Sequence, residues 1–119
     1  MERVLLIVDD EIEIGKIIQK TLRREFDEIL VAVNTTEAEP LLESRSITHL
    51  VVDLFLGPDE MLGYELVRKW RPRLEDLRYV ALFTGSSMEL ETAYDGIDAV
   101  FRKPSGYADL IAALRASLS

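Results

Sequence analysis

An α/β fold, with a parallel β-sheet covered by helices on both faces, is the architecture that this sequence predicts. Five short apolar runs rich in β-branched residues recur along the chain, with amphipathic helical segments between them. Uninterrupted apolar runs of this length are typical of strands buried on both faces, which are usually parallel. The chain has 119 residues, 48% of them apolar, enough for one hydrophobic core and too few for two ordinary domains. We expect one domain spanning residues 1–119.

Strands and helices are predicted to alternate in chain order. The apolar runs that predict strands are 4–8, 29–33, 50–52, 79–83 and 99–101. The helices are predicted from apolar residues that recur at helical spacing on one face. These residues are Ile14, Ile18 and Leu22 in the first helix, Leu62, Leu66 and Trp70 in the third, and Leu110, Leu114 and Leu118 in the last.

Two of the helices are less regular in sequence. Pro40 falls within the second helical segment, and proline fits only the first turn of a helix, so we expect this helix to start near Glu37. The segment between the fourth and fifth strands is short, which predicts a brief or irregular helix around residues 89–94.

Composition and charge exclude several classes of protein. With 14 basic and 22 acidic residues the net charge is −8, which argues against a nucleic-acid interface in this domain. There is no cysteine, so disulfides and thiolate metal sites are excluded. The single His49 has no histidine or cysteine partner for zinc. No long apolar stretch or signal-peptide pattern is present, so we expect a cytoplasmic protein without a membrane span.

Charged and hydroxyl side chains directly follow four of the five predicted strands. The run Asp9-Asp10-Glu11 follows the first strand, Asp53 the third, Thr84 the fourth, and Arg102-Lys103-Pro104 the fifth. Ligands of open parallel sheets bind outside the carboxyl ends of the strands, so these groups share one edge. Each group alone also has a structural explanation, as a helix cap, a turn residue or a solvated loop lysine.

Together these groups predict a phosphoryl site that contains a metal ion. Clustered carboxylates repel one another and need a cation, and Mg²⁺ accepts one or two carboxylates, a carbonyl and several waters. Such a site leaves room for a phosphoryl group, whose remaining oxygens Lys103 and the Thr84 hydroxyl could bind.

At these motifs the chain resembles the receiver domains of two-component response regulators. The resemblance spans essentially all residues and rests on four segments in order: Ile7-Val8-Asp9-Asp10-Glu11, Val51-Val52-Asp53-Leu54, Phe83-Thr84-Gly85 and Phe101-Arg102-Lys103-Pro104. It implies the flavodoxin-like, three-layer, doubly wound (βα)₅ fold with the strand order 2-1-3-4-5. Periodicity alone predicts the alternation but not this order.

The resemblance also implies the role of each residue. Asp53 would accept a phosphoryl group from a histidine kinase or a histidine phosphotransfer protein, and would also ligate Mg²⁺. Asp10 would ligate Mg²⁺ directly and Asp9 through water, with the backbone carbonyl of Phe55 as a further ligand. Thr84 and Lys103 would bind the phosphoryl group.

Such a domain catalyses only its own phosphorylation and dephosphorylation, and it switches an interaction surface toward a downstream protein or a fused output domain. A haloacid dehalogenase resembles the chain poorly, because that family needs a second aspartate where Phe55 stands.

The chain departs from the family pattern at three places. The loop that follows Asp53 is about two residues longer than usual. Phe55 lies two residues beyond the acceptor, where it could hinder the water that attacks the phosphoryl group or could simply cap the core. Val100 occupies the position of the usual switch aromatic, and Phe101 should point to the opposite face. A degenerate receiver that acts as a phosphorylation-independent interaction module is therefore the alternative.

Overall fold

The computed structural model describes residues 2–85 and 96–119, which contain five strands and four α-helices. The strands are β1 (Val4–Val8), β2 (Glu28–Ala32), β3 (His49–Val52), β4 (Tyr79–Thr84) and β5 (Ala99–Arg102). The helices are α1 (Ile12–Leu22), α2 (Thr35–Ser44), α3 (Gly63–Trp70) and α4 (Tyr107–Ala116), and a 3₁₀ turn, Arg71–Arg73, follows α3. The helix predicted around residues 89–94 lies outside the described residues.

All five strands form one parallel sheet in the order β2-β1-β3-β4-β5. The order reverses at β1, which lies between β2 and β3, so the carboxyl ends of β1 and β3 meet at the topological switch point. Val8 pairs with Val52 across these two strands, and the residues that follow them emerge side by side. The predicted doubly wound fold and strand order are confirmed.

Alternate residues of the strands build a hydrophobic core on each face of the sheet. In β1, Val4, Leu6 and Val8 pack toward α2 and α3, whereas Leu5 and Ile7 pack toward α1 and α4. The two faces continue through β4, where Val80 and Leu82 alternate with Ala81 and Phe83. Because both faces of the strands are covered, their sequences read as continuous apolar runs.

The predicted alternation holds at β5. Val100 packs against the core on the α2–α3 face, and Phe101 packs against the core on the α1–α4 face. Phe101 therefore points away from the face on which Val100 stands, as its position one residue along the strand requires.

In the part of the chain that the structure describes, no helix has the length and apolar character needed to cross a bilayer.

Helix α2 begins at Thr35, two residues earlier than predicted. The Asn34 side chain caps it by accepting a hydrogen bond from the Glu37 amide at 2.9 Å, and the Glu37 carboxylate accepts one from the Val33 amide at 3.0 Å. These bonds satisfy amides that have no partner within the helix. Pro40 consequently lies inside the helix rather than in its first turn, and these two bonds contribute to the earlier start.

Candidate functional site

Four carboxylates gather at the carboxyl edge of the sheet. Asp9, Asp10 and Glu11 follow β1, Asp53 follows β3, and one oxygen from each lies within 4.8 Å of the others. Backbone hydrogen bonds that continue the strand ladders position two of them, since the Asp53 amide donates to the Val8 carbonyl at 2.9 Å and the Asp9 amide donates to the Ala32 carbonyl at 3.0 Å. Asp9 and Asp53 are buried, whereas Asp10 and Glu11 are exposed. The cluster therefore has a buried floor and a solvent-facing rim.

Lys103 enters this cluster from the end of β5. Its Nζ lies 2.8 Å from Asp9 Oδ2, 3.0 Å from Asp53 Oδ2 and 3.5 Å from Glu11 Oε1. The Lys103 backbone amide donates to the Thr84 carbonyl at 2.9 Å, which extends the β4–β5 ladder by one residue. One ammonium thus faces three of the four carboxylates, and the site keeps an excess of negative charge.

The electrostatics of the site follow from its burial. The pKa of Asp9 is raised to about 6, because burial and, to a lesser extent, the neighbouring Asp53 carboxylate outweigh the lowering effect of its hydrogen bonds with Lys103 and the Glu11 amide. Burial alone would lower the pKa of Lys103, but its hydrogen bonds to Asp9 and Asp53 outweigh burial and raise the pKa above its ordinary value. Lys103 therefore stays charged, while Asp9 ionises only at a cost.

The donor set suits a hard divalent cation. Such ions bind carboxylate oxygens, and Mg²⁺ keeps several waters, which a partly open site allows. One oxygen from each of the four carboxylates lies within 4.8 Å of the others, and the Lys103 ammonium offsets the charge of only one of them. The cluster could therefore hold a metal ion.

Glycine at position 63 allows the first turn of α3 to approach the site. A Cβ at Gly63 would lie 2.1 Å from the Asp53 backbone oxygen and 2.9 Å from the Val52 side chain. The Gly63 amide donates to the Leu54 carbonyl at 2.8 Å. No side chain fits between this helix and the backbone of Asp53, so the chain after β3 must return through a glycine.

Solved structures of receiver domains match nearly the whole chain. A CheY-like receiver domain protein from Methanospirillum hungatei JF-1 is 24% identical, with a TM-score of 0.83 over 99% of this chain and 94% of that chain. A response regulator from Burkholderia pseudomallei is 26% identical, with a TM-score of 0.80 over 98% of this chain and 69% of that chain. The DrrB receiver domain is 23% identical, with a TM-score of 0.80 over 99% and 98%. No protein-family model matches the chain.

This chain has the receiver-domain fold. The resemblance predicted from the motifs at the strand ends is confirmed. The Burkholderia pseudomallei structure contains a phosphorylated aspartic acid, a calcium ion and citrate, and the DrrB receiver domain was solved in a BeF3-activated form.

The receiver fold brings together most of the residues that the sequence singled out. Asp9, Asp10, Asp53 and Lys103 converge at one edge. Thr84 ends β4 as a residue only 1% exposed, and its carbonyl meets Lys103 as described above. The roles predicted for these residues stay predictions.

Phe55 is 47% exposed. The interpretation of its ring as a cap on the core is therefore wrong, because a capping ring would be largely covered. The neighbouring Leu54 and Leu56 are buried instead.

Glu11 was placed with Asp9 and Asp10 at the end of the first strand, but no role in binding metal or phosphoryl was predicted for it. Its carboxylate belongs to the cluster and lies near Lys103. Glu11 is also the residue that precedes α1, and its amide donates to Asp9 Oδ1 at 2.9 Å. The Glu11 side chain itself makes no cap bond to α1.

A mainly apolar groove adjoins the carboxylate cluster on the side of α1 and α4. Its volume is about 640 Å³, and it runs from Glu11 and Lys103 past Ile14, Ile17 and Tyr107. Ile17 in this groove is 48% exposed. An exposed apolar surface of this kind beside charged residues is typical of a protein-binding surface.

Proposed function

We propose that this chain is a receiver domain, spanning residues 1–119, that accepts a phosphoryl group on Asp53 in a Mg²⁺-dependent reaction in the cytoplasm. The donor is a histidine kinase or a histidine phosphotransfer protein. Phosphorylation then switches a surface that binds a downstream protein or an output domain. The receiver-domain fold supports the general role, and the site supports the particular chemistry.

The observation that carries this proposal is the position of Asp53 between two kinds of charge. Its carboxylate lies within 4.8 Å of three other carboxylates and 3.0 Å from the Lys103 ammonium. A buried carboxylate at a strand end, beside a site for a cation and a fixed ammonium, is suited to attack an anionic phosphoryl group.

In the transfer step, a carboxylate oxygen of Asp53 forms a P–O bond as the P–N bond of a phosphohistidine breaks. The donor nitrogen keeps the electron pair of the broken bond, so the step is balanced without any further reactant. Mg²⁺ held by Asp10, Asp53 and the Phe55 carbonyl, and by Asp9 through water, would neutralise charge on the carboxylates and on the phosphoryl oxygens. The buried walls around Asp53 hold the nucleophile in one position.

Lys103 has a different partner before and after transfer. Before transfer it donates to Asp53 at 3.0 Å. The phosphoryl group adds a charge of about −1.5 to −2 and three acceptor oxygens, which are the stronger partners for an ammonium. Lys103 therefore stabilises the phosphorylated state, and the Thr84 hydroxyl, at the end of the neighbouring strand, donates to the same oxygens.

The groove beside the site supports docking of the phosphodonor. Ile14, Ile17 and Tyr107 line it next to Lys103, so an apolar surface of the donor can bind there while its phosphohistidine reaches Asp53. Burial of exposed isoleucine would contribute to binding, at about 25 cal/mol for each Å² removed from water.

Phosphorylation by acetyl phosphate tests the proposal without requiring knowledge of the kinase. Wild-type protein should show a Phos-tag shift when Mg²⁺ is present and none when it is chelated. Asp53→Asn should abolish the shift, and Asp59→Asn, at an exposed aspartate of the adjoining loop, should preserve it. A shift that survives Asp53→Asn would refute Asp53 as the acceptor. A wild-type protein that never shifts would favour the phosphorylation-independent module.

A further inference from the structure

The loop between β3 and α3, residues 53–62, is closed at its base. The Gly63 amide donates to the Leu54 carbonyl at 2.8 Å, and Leu54 and Leu56 are buried in the core on the α2–α3 face. Both ends of the loop are therefore fixed beside Asp53. The outer part of the loop comprises residues 57–60.

The outer part of the loop is a tight turn. Gly57 and Asp59 have positive φ angles of 122° and 67°, and the Glu60 amide donates to the Gly57 carbonyl at 3.3 Å. The turn directs the Glu60 side chain to α2, where Oε1 accepts a hydrogen bond from the Thr35 amide at 2.8 Å. Residues 25 positions apart in sequence are thereby joined.

The bond from Glu60 provides an acceptor for an amide in the first turn of α2 that has no partner within the helix. Thr35 is its first residue, and amides of the first turn have no partner within the helix. Asn34 and Glu37 satisfy the Glu37 and Val33 amides, which leaves the Thr35 amide for Glu60. A carboxylate at this end also interacts favourably with the helix dipole.

We propose that Glu60 is a positioning residue for the metal site: its bond to Thr35 holds the turn of the loop, and so fixes the backbone that directly follows Asp53. The inference rests on the proposed function, which assigns the Phe55 carbonyl in that backbone to Mg²⁺. With the base closed at Gly63 and the turn tied to α2, Phe55 lies between two anchors. Without the bond between Glu60 and Thr35, the Phe55 carbonyl can adopt more conformations. Ordering that carbonyl when Mg²⁺ binds then costs free energy.

Calorimetric titration of the full chain with Mg²⁺ tests this role. Glu60→Ala removes the acceptor and should weaken Mg²⁺ binding about tenfold, as changes around metal ligands commonly do. Glu60→Gln keeps an acceptor oxygen and should bind Mg²⁺ nearly as wild type does. Asp59→Asn is the matched control, because it removes one charge from the same turn and keeps the Glu60 bond.

A second variant removes the same bond from the other side. Thr35→Pro has no amide to donate, and proline is well tolerated at the first residue of a helix after an extended residue. Asn34 is extended, with φ −159° and ψ 177°. Thr35→Pro should therefore weaken Mg²⁺ binding about as much as Glu60→Ala, by about tenfold.

Amide hydrogen exchange gives a readout that is independent of the metal. Thr35 should exchange faster in Glu60→Ala than in wild type when Mg²⁺ is absent, and Mg²⁺ should slow its exchange in wild type. Faster exchange with unchanged Mg²⁺ affinity would overturn the positioning role while leaving the proposed function intact. Equal weakening by Glu60→Gln and Asp59→Asn would also overturn it, since charge alone would then be responsible. Failure of wild type to bind Mg²⁺ would overturn both.

Discussion

Asp9→Asn should stabilise the protein near neutral pH in the absence of divalent ions. Asp9 is buried beside Asp53, and its pKa is raised from 3.8 to about 6. Because a tenfold change in an acid constant corresponds to about 1.4 kcal/mol, this difference makes ionised Asp9 cost the folded state about 3 kcal/mol. Asparagine cannot ionise, so the variant avoids this cost, and its Oδ1 can still accept the Glu11 amide.

The sign and pH range of this effect are set by the raised pKa. In the folded state Asp9 holds its proton to a higher pH than in the unfolded state, so its stabilising contribution is fully present below pH 3.8 and is lost as the pH rises through about 6. The advantage of Asp9→Asn should therefore be largest above pH 6 and should shrink toward pH 3.8. Since both proteins are compared at each pH, the titration of groups remote from Asp9 cancels.

Urea denaturation measures the difference directly. With an m-value of about 2 kcal/mol per M, a gain of about 3 kcal/mol moves the midpoint by roughly 1.5 M. Mg²⁺ should raise the midpoint of wild type more than that of the variant, because it compensates the same charge. Asp59→Asn serves as the control and should show neither effect. A midpoint gain that is absent near neutrality, or that does not change with pH, would refute the reasoning.

Three further variants follow from the same contacts. His49→Phe should lose less stability than wild type as the pH falls below 6.5. Burial lowers the pKa of His49, so protonation of this histidine favours the unfolded state of wild type. Parallel curves of urea midpoint against pH for the two proteins would contradict this. Gly63→Ala should lose about 1–3 kcal/mol of unfolding free energy and most phosphorylation at Asp53, because its Cβ would collide with the Asp53 backbone. Wild-type values in the urea and Phos-tag assays would refute this prediction. Lys103→Ala should keep Mg²⁺ binding in calorimetry but lose partner binding after phosphorylation, because the ammonium pairs with phosphoryl oxygens that are present only after transfer. Partner binding at the wild-type level would count against this role of Lys103.

Much of the fold and the site could be predicted because each depends on local sequence patterns. Continuous apolar runs predict strands that are buried on both faces, and the polar residues after those runs indicate the carboxyl edge of the sheet. The convergence of Asp9, Asp53 and Lys103 needed in addition the strand order, which came from the family resemblance. Periodicity carries no information about which strands are neighbours.

The features that escaped prediction depend on contacts between distant segments. The start of α2 is set partly by Glu60, which lies 25 positions beyond Thr35. The pairing of Lys103 with Asp9 and Asp53 in the absence of a phosphoryl group depends on the distance between strand ends. The need for glycine at position 63 depends on how closely α3 approaches the Asp53 backbone. None of these distances is encoded by spacing along the chain.

Mass spectrometry of the protein after incubation with acetyl phosphate and Mg²⁺ tests the central claim most directly. Intact-mass measurement should show the addition of one phosphoryl group, and peptide mapping should place it on Asp53. The addition should disappear with chelator and in Asp53→Asn. A phosphoryl group found on another residue, or an unmodified wild-type protein in the presence of Mg²⁺, would contradict the account.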